Sequence, residues 1–520
     1  MESRVHKFKH IKPLVEFNGR IVMIGCGVVG RATLPLLVKL VKMDFSNMVI
    51  IDMVDISSHI RHYIKHYGIK FVNKKVTKEN HKKLLDKYLK RGDFLLDLAY
   101  DIYTYDLLKY CKSRGVLYLN TSVEEYDPYG LGHSKAQDYT LYHRNQEIRK
   151  LAASNQTDTT GQGPTAILDS GANPGFVSAL VKKGLVDITK KLLKSSKLSK
   201  DTKKTLKGYI KNNHFNLLAR ALGLKTIHIS ERDTQISNMP KKPGQFVNTW
   251  SIPGFIEEGA APAELGWGTH EKKLPLHARM HTSGEKNQIC IDVRGCTKEM
   301  ITWIKSGPIV GMLIRHGEAY SISSRLSVYP DDKVHPRSYV HDPLRHKDTK
   351  GKCLYRPTVH YVYLPCDNGL ASIHECAQNG FQSSLDKHRI MYNDIISGRD
   401  ELGVTLYGDF GIWWIGSLLD INEARKMVDP EINDISATSL QVGGGVISGI
   451  IYAMRHPNAG ICFIDDCDYK EIYDVGKLVW GPMYSGPLNL TKDEKKKIKG
   501  YQFANFELHG IHPRGPSSKY

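Results

Sequence analysis

Residues 20–37 read Arg20-Ile-Val-Met-Ile-Gly25-Cys-Gly27-Val28-Val29-Gly30-Arg-Ala-Thr-Leu-Pro-Leu-Leu37, an apolar strand that runs straight into a Gly-x-Gly-x-x-Gly turn opening a helix. This is the layout of a dinucleotide-binding turn. Gly25 permits the tight bend, Gly27 lets backbone approach a pyrophosphate, and Gly30 lets helix and strand pack closely. The unpaired N–H groups at the helix start, around Val28 and Val29, face the phosphates. Downstream, Asn47-Met-Val-Ile-Ile-Asp52 reads as a second buried strand. It ends in a carboxylate about 20 residues past the turn, where the ribose hydroxyls of NAD are held and the 2′-phosphate of NADP would be repelled.

Outward from that turn, residues 20 to about 125 alternate apolar strands with helical patterns: Val49-Ile-Ile, Phe94-Leu-Leu-Asp-Leu-Ala and Val116-Leu-Tyr-Leu-Asn. Strands separated by helix-length segments mean βαβ units and a parallel, doubly wound Rossmann-like sheet. Loops at the carboxyl ends of its strands should face the cofactor, which singles out Asp97, Asn120, Thr121 and Glu124. For Asp97 a capping role at the strand end competes evenly with cofactor contact. Beyond Leu168-Asp-Ser-Gly-Ala-Asn-Pro-Gly-Phe-Val-Ser178 the texture changes to short strand-like runs rich in Gly and Pro, as expected of a second α+β domain with a mixed or antiparallel sheet. The expected division is a cofactor domain over 1–165, a substrate domain over 166–430, and a C-terminal helical segment, 431–520, returning to the first domain. The run Ser436-Ala-Thr-Ser-Leu-Gln-Val-Gly-Gly-Gly has helical spacing and a hydroxyl-rich start, with glycines that serve close contact rather than helix propensity.

The length of 520 residues and 41% hydrophobic content leave room for two or three domains and a sizeable core. Nine cysteines are scattered without a Cys-x-x-Cys pair, so neither a disulfide framework nor a metal site is indicated. The N-terminus is charged, and no stretch approaches the roughly 18 apolar residues of a membrane span, so a reducing cytoplasm is the expected compartment. The net charge of +19 raises the question of nucleic acid. Residues 182–211 hold eleven lysines against Asp187 and Asp201, nearly half of the excess, and a second run spans Lys492 to Lys499. Neither run interleaves the aromatics that stack on bases, so both read as solvated faces or insertions, and nucleic acid is not an expected partner.

Several stretches taken together resemble the bacterial-type, NAD-dependent homospermidine synthases, which are related in fold to saccharopine dehydrogenases. They are Gly25–Gly30, Asn120-Thr-Ser-Val-Glu124, Ala172-Asn-Pro-Gly-Phe-Val-Ser178, Glu231-Arg-Asp-Thr-Gln235, Asn248-Thr-Trp-Ser251, His316-Gly-Glu-Ala319, Pro357-Thr-Val-His-Tyr361, Asp400-Glu-Leu-Gly403 and Ala437-Thr-Ser-Leu-Gln441, in the family's order. The resemblance implies a bound NAD, a polyamine tunnel in the second domain and a homodimer. It further implies a reaction that joins two putrescines into homospermidine with release of ammonia, or takes spermidine as the aminobutyl donor. The stretches near 182–211 and 328–356 look longer than the family pattern needs.

A diamine is a dication at neutral pH, so a protein of net charge +19 must build a locally acidic cavity against its own average field. By motif and order, Glu231, Glu258 and Asp400 with neighbouring Glu401 match the family's pocket acids, and Glu124 matches an acid near the nicotinamide. The reacting amine must lose its proton before hydride leaves its carbon, which calls for a base of raised pKa: Glu231, or Glu231 partnered with Glu124. Trp250 offers an aromatic face to a cationic intermediate, Asn173 a hydrogen bond to an amine, and His316 a proton carrier near neutral pH.

Two rivals remain at this point. A saccharopine-dehydrogenase-like or carboxynorspermidine-type reductase would consume NAD(P)H and need an arginine clamp for a carboxylate substrate, for which Arg232 and Arg315 are placed. A non-catalytic NAD-binding regulator would dock its lysine-rich stretch on a polyanion.

Overall fold

The computed structural model describes residues 2–126, 135–153, 163–330, 352–381, 385–428 and 434–508. Six N-terminal strands, β1 (Ile21–Ile24), β2 (Met48–Asp52), β3 (Lys70–Asn73), β4 (Phe94–Asp97), β5 (Leu117–Asn120) and β6 (Ala166–Leu168), join a late strand, Ile461–Phe463. They form one sheet in the order Ile461–Phe463, β6, β5, β4, β1, β2, β3, and every pair is parallel. The strand order reverses at β1, flanked by β2 and β4, so the sheet is doubly wound and a crevice opens beyond its carboxyl ends. Helix α1 (Val28–Leu40) leaves β1 through the glycine turn and buries Leu34, Leu36, Leu37 and Leu40.

The second sheet has ten strands: β7 (Leu224–Asp233), β8 (Pro262–Gly266), β9 (Ala278–Met280), β10 (Gln288–Arg294), β11 (Glu299–Ile304), β12 (Gly307–Ile314), β13 (Thr358–Leu364), β14 (Arg399–Gly408), β15 (Gly411–Asp420) and β16 (Met483–Pro487). Their order is β9-β10-β8-β13-β7-β14-β15-β16, with the β11–β12 hairpin joined to β13. β7 and β13 run parallel while their other neighbours run antiparallel, which makes the sheet mixed. Its central strand β7 is buried along most of its length.

The lysine-rich stretch does not behave as one insertion. Its first part lies in α2 (Phe176–Leu193), a core helix that packs Gly184 against Leu406 and Ile415 and buries Lys182, whose Nζ donates to the Asp465 carbonyl at 2.5 Å. Composition averages the two faces of a helix, so the apolar face of α2 was hidden behind its lysines. The second part, α3 (Lys200–Lys211), starts at a Ser199 cap, buries only Leu206 and carries exposed lysines. The stretch near 328–356 lies largely outside the described residues.

Two further helices flank the second sheet, α4 (Ile252–Ala260) and α5 (Gly317–Arg325), and the C-terminal part adds α6 (Ala437–Arg455). The C-terminal stretch serves both sheets, contributing Ile461–Phe463 to the first and β16 to the second, which is more than the helical return expected of it. α6 is long and apolar enough to cross a membrane by composition, contrary to the sequence expectation, but 89% of its most apolar 18-residue window is buried inside the protein. Its glycines are contact points. A Cβ on Gly445 would lie 1.8 Å from the Gly171 carbonyl oxygen, one on Gly449 2.3 Å from Ser170 Oγ, and one on Gly443 3.1 Å from the Ala32 carbonyl oxygen. One buried apolar cluster runs from Leu37 and Ile50 through Val446 and Ile447 to Ile229 and Leu402, fastening the two sheets together.

Candidate active site

At the β1–α1 turn the three glycines do different things. Gly25 has φ +77°, and a Cβ there would sit 2.8 Å from the Ala99 backbone. A Cβ on Gly30 would come within 3.1 Å of the Gly25 carbonyl oxygen, so its absence lets α1 lie close on β1. At Gly27 a Cβ would meet nothing within 4 Å. Open space therefore lies before the helix start, whose N–H groups receive no side-chain cap, and this suits a pyrophosphate. Asp52 closes β2 with its carboxylate accepting the Cys26 N–H at 2.7 Å and the Val54 N–H at 2.9 Å, which ties the acid to the glycine turn where a ribose diol would meet it. These residues fit NAD.

Beside the turn lies a cavity of about 150 Å³. The first sheet contributes Val29, Asp97, Thr121, Glu124, Asp169 and Asn173, and the second sheet's side contributes Trp250, Glu257, Glu258, Arg315 and His316. Eight of the residues expected from sequence thus meet here. Val28 is buried in α1. Asn120 braces rather than lines, since its Oδ1 accepts the Asp169 N–H at 3.0 Å. Asp97 accepts the Ala99 N–H at 3.3 Å, a capping contact at the strand end, and the Tyr118 hydroxyl at 2.7 Å, and it also lines the cavity.

Glu231 reaches the cavity through Asn173, whose Nδ2 donates to Glu231 Oε2 at 2.8 Å; the Tyr361 hydroxyl donates to the same oxygen at 2.6 Å. Strand alternation puts Asp233 on the same face of β7 as Glu231, and the antiparallel register sets Asp400 of β14 opposite Asp233. Three buried carboxyls therefore share one patch. Tyr363, beside Glu231 on β13, accepts the Trp250 indole N–H at 2.9 Å, and Tyr361 stacks on it at 5.5 Å. An aromatic wall thus faces the acids. Glu401 takes no part: alternation turns it to the other face of β14, where Arg399 Nε donates to it at 2.6 Å and Ser306 also donates.

Burial pushes these carboxyls upward, because the charged form loses its water. Burial raises Glu231 to about 7, and raises Glu124 to about 7 with help from the nearby Glu257. It lifts Asp97 to about 7 and, with Glu318 adding repulsion, Asp169 to about 8. Asp400 is driven well above the carboxylate range by burial and by the Glu231 and Asp233 carboxyls. His316 goes the other way from the sequence expectation. Burial opposes its charge, but Glu318 at 3.1 Å from Nδ1 and Glu258 at 3.3 Å from Nε2 outweigh that and hold it well above its usual value.

Sequence reasoning missed the cation-neutralising cluster at the domain junction. Burial would raise Glu257, yet Arg315 and Arg144 pull it down to about 2. Arg144 Nη2 donates to it at 2.9 Å, Arg315 also donates to it, and Arg144 lies 3.3 Å from Glu125 and 4.0 Å from Glu124. Arg315 is therefore spoken for, and Arg232, adjacent to Glu231 on β7, points to the opposite face. Among the described residues the wall offers no uncommitted arginine for a carboxylate substrate. Asp169, Asp233, Tyr361 and Tyr363 were also missed, although an acid at the carboxyl end of a Rossmann strand was a usable signal for Asp169.

Fold and chamber define a two-domain dinucleotide-binding protein whose inner cavity is lined by several carboxyls, with its cations ion-paired to acids. Residues 21–167 match the saccharopine dehydrogenase NADP binding domain family and residues 171–475 the saccharopine dehydrogenase C-terminal domain family. The chain is 36% identical over 474 residues to the homospermidine synthase of Mesorhizobium japonicum, covering 90% of each chain. It is 36% identical over 472 residues to that of Blastochloris viridis, again covering 90% of each. It superposes on the crystal structure of the homospermidine synthase of Legionella pneumophila in complex with NAD with a TM-score of 0.78 and 31% identity, covering 96% of this chain and 99% of that one. The chain belongs to the homospermidine synthase family.

Proposed function

We propose that this protein makes homospermidine by NAD-dependent aminobutyl transfer with no net redox change. The carrying observation is a cavity beside the glycine turn whose cations are neutralised by partner acids, joined through Asn173 to a patch of three buried carboxyls flanked by Tyr361 and Tyr363. Such a chamber selects a diamine over a carboxylate substrate, which disfavours the reductase reading. NAD, held by Gly25, Gly27, Gly30 and Asp52, supplies a hydride acceptor that becomes the donor later in the same cycle.

Putrescine, or the aminobutyl end of spermidine, enters as a cation. Asp233 and Asp400 hold its far ammonium, which drives those acids to ionise. Glu231, positioned by Asn173 and Tyr361, takes the proton from the reacting amine, because an ammonium has no lone pair with which to stabilise the developing iminium. Trp250 faces that iminium with its ring fixed by Tyr363, which contributes roughly 1 to 2 kcal/mol where water is excluded. His316, clamped between Glu258 and Glu318, orients those acids. A second putrescine then displaces ammonia, and the new imine is reduced to homospermidine while the chamber shields the reactive carbon from water.

A homodimer and a cytoplasmic location complete the reading. The homodimer is carried over from the family resemblance, and the cytoplasmic location rests on the sequence, with which the nine free cysteines, eight of them buried, agree. Incubation with putrescine and catalytic NAD should yield homospermidine and ammonia without net NADH. Stoichiometric NADH would favour a simple dehydrogenase.

A further inference from the structure

The chemistry needs one group that the residues above do not supply. Displacing ammonia moves a proton from the incoming nitrogen to the departing one, and the candidate carriers are mostly committed. Glu231 accepts Asn173 and Tyr361, Asp97 accepts Tyr118, and Glu258, whose Oε2 also makes no hydrogen bond, is tied up as the ion-pair partner of His316 at 3.3 Å.

Asp169 differs. It is only 6% exposed and lines the cavity, and its Oδ2 has no hydrogen-bond partner. Its backbone is fixed in the left-handed region at φ +54°, with its N–H bonded to Asn120 Oδ1 at 3.0 Å. Such a conformation costs energy in most residues and persists where the surroundings enforce it. Space is reserved for the free oxygen: a Cβ on Gly317 would lie 2.2 Å from Asp169 Oδ2. We propose that Asp169 is the catalytic proton carrier of the amine-exchange step, passing a proton from the attacking amine to the leaving ammonia through Oδ2.

The step balances without an outside reagent. The second amine forms a C–N bond to the iminium carbon, which then bears two nitrogens. Asp169 takes the proton from the new nitrogen and delivers it to the old one. The old C–N bond breaks, its electron pair leaves with ammonia, and the lone pair of the new nitrogen forms the next iminium. Asp169 ends as it began. Burial and the neighbouring Glu318 raise its carboxyl to about 8, which suits a group that must both gain and lose a proton near neutral pH.

This inference rests on the proposed function, and the wild-type arm tests that reading by itself: absence of homospermidine from putrescine and NAD would sink the function before Asp169 enters. Given an active wild type, Asp169→Asn is the informative variant, since asparagine is isosteric and takes left-handed backbone readily. With putrescine and one NAD per site, the expected result is normal NAD retention and a lasting bound-NADH absorbance near one per site. Homospermidine formation should fall by roughly 100-fold, the scale of acid–base catalysis. Gly317→Ala, which crowds Oδ2, should give the same trapped NADH in milder form. Turnover of Asp169→Asn within a few-fold of wild type would overturn the proposal. So would equal loss of NADH formation and of product in both variants, which would mark Asp169 as structural.

Discussion

The glycine turn and the carboxyl patch solve opposite problems. At residues 25–30 the protein makes room, by omitting side chains where a pyrophosphate and a neighbouring loop must come close. At Glu231, Asp233 and Asp400 it crowds three acids into a site where none is comfortable when empty. The first is a local device written in six consecutive residues; the second exists only because the register of β7 and β14 brings separated carboxyls together. A binding site for an anion can be built from backbone alone, whereas a site for a buried dication has to hold carboxyls that stay protonated while it is empty and ionise when the ligand arrives.

The largest expected effect breaks the acid side. Glu231→Gln should lower kcat by roughly 10²- to 10⁴-fold with NAD affinity intact, measured by turnover and by NAD fluorescence titration. On the glycine side, Gly25→Val should lose NAD and destabilise the fold by at least 1 to 3 kcal/mol, roughly the cost of such strain, because its φ is +77° and Ala99 blocks the side chain. A thermal melt and an NAD titration check it. Trp250→Ala should cost roughly 5- to 30-fold in turnover, the equivalent of about 1 to 2 kcal/mol, and Trp250→Phe only a few-fold; equal losses would assign the ring to packing.

The smallest effect is a pH dependence that sharpens the contrast. Glu231, Asp97 and Glu124 are raised to about 7 and Asp169 to about 8. A carboxyl raised in the folded state adds stability fully present below its unfolded pKa and lost as pH rises through its folded pKa. The ligand-free protein should therefore lose thermal stability as pH rises from about 4 to 8 on these groups' account. The affinity for putrescine should strengthen over the upper part of the same range, because binding a dication needs the acids ionised.

What the sequence made legible follows the same division. The turn, the carboxyl-end acids Asp97 and Glu124, and the change of texture near Leu168 were readable because they depend on neighbours in the chain. The family resemblance supplied Glu231, Trp250 and His316 and, among their partners, Asn173 and Glu258, but not Tyr361, Tyr363 or Glu318. Tyr361 and Tyr363 matter only through the β7–β13 register, and the Glu257 cluster only because the helix bearing Arg144 meets α4. Glu401 shows the converse: next to Asp400 in sequence, it faces away. The lysines of α2 misled because charge was counted along the chain rather than around the helix.

The central claim is that the chamber holds protonated acids until a polyamine enters. Calorimetry of putrescine binding to the NAD-loaded enzyme at pH 6.5, in two buffers of different ionisation enthalpy, tests it directly. Net release of protons to the buffer is the predicted result, and binding with no release, or with proton uptake, would contradict the account.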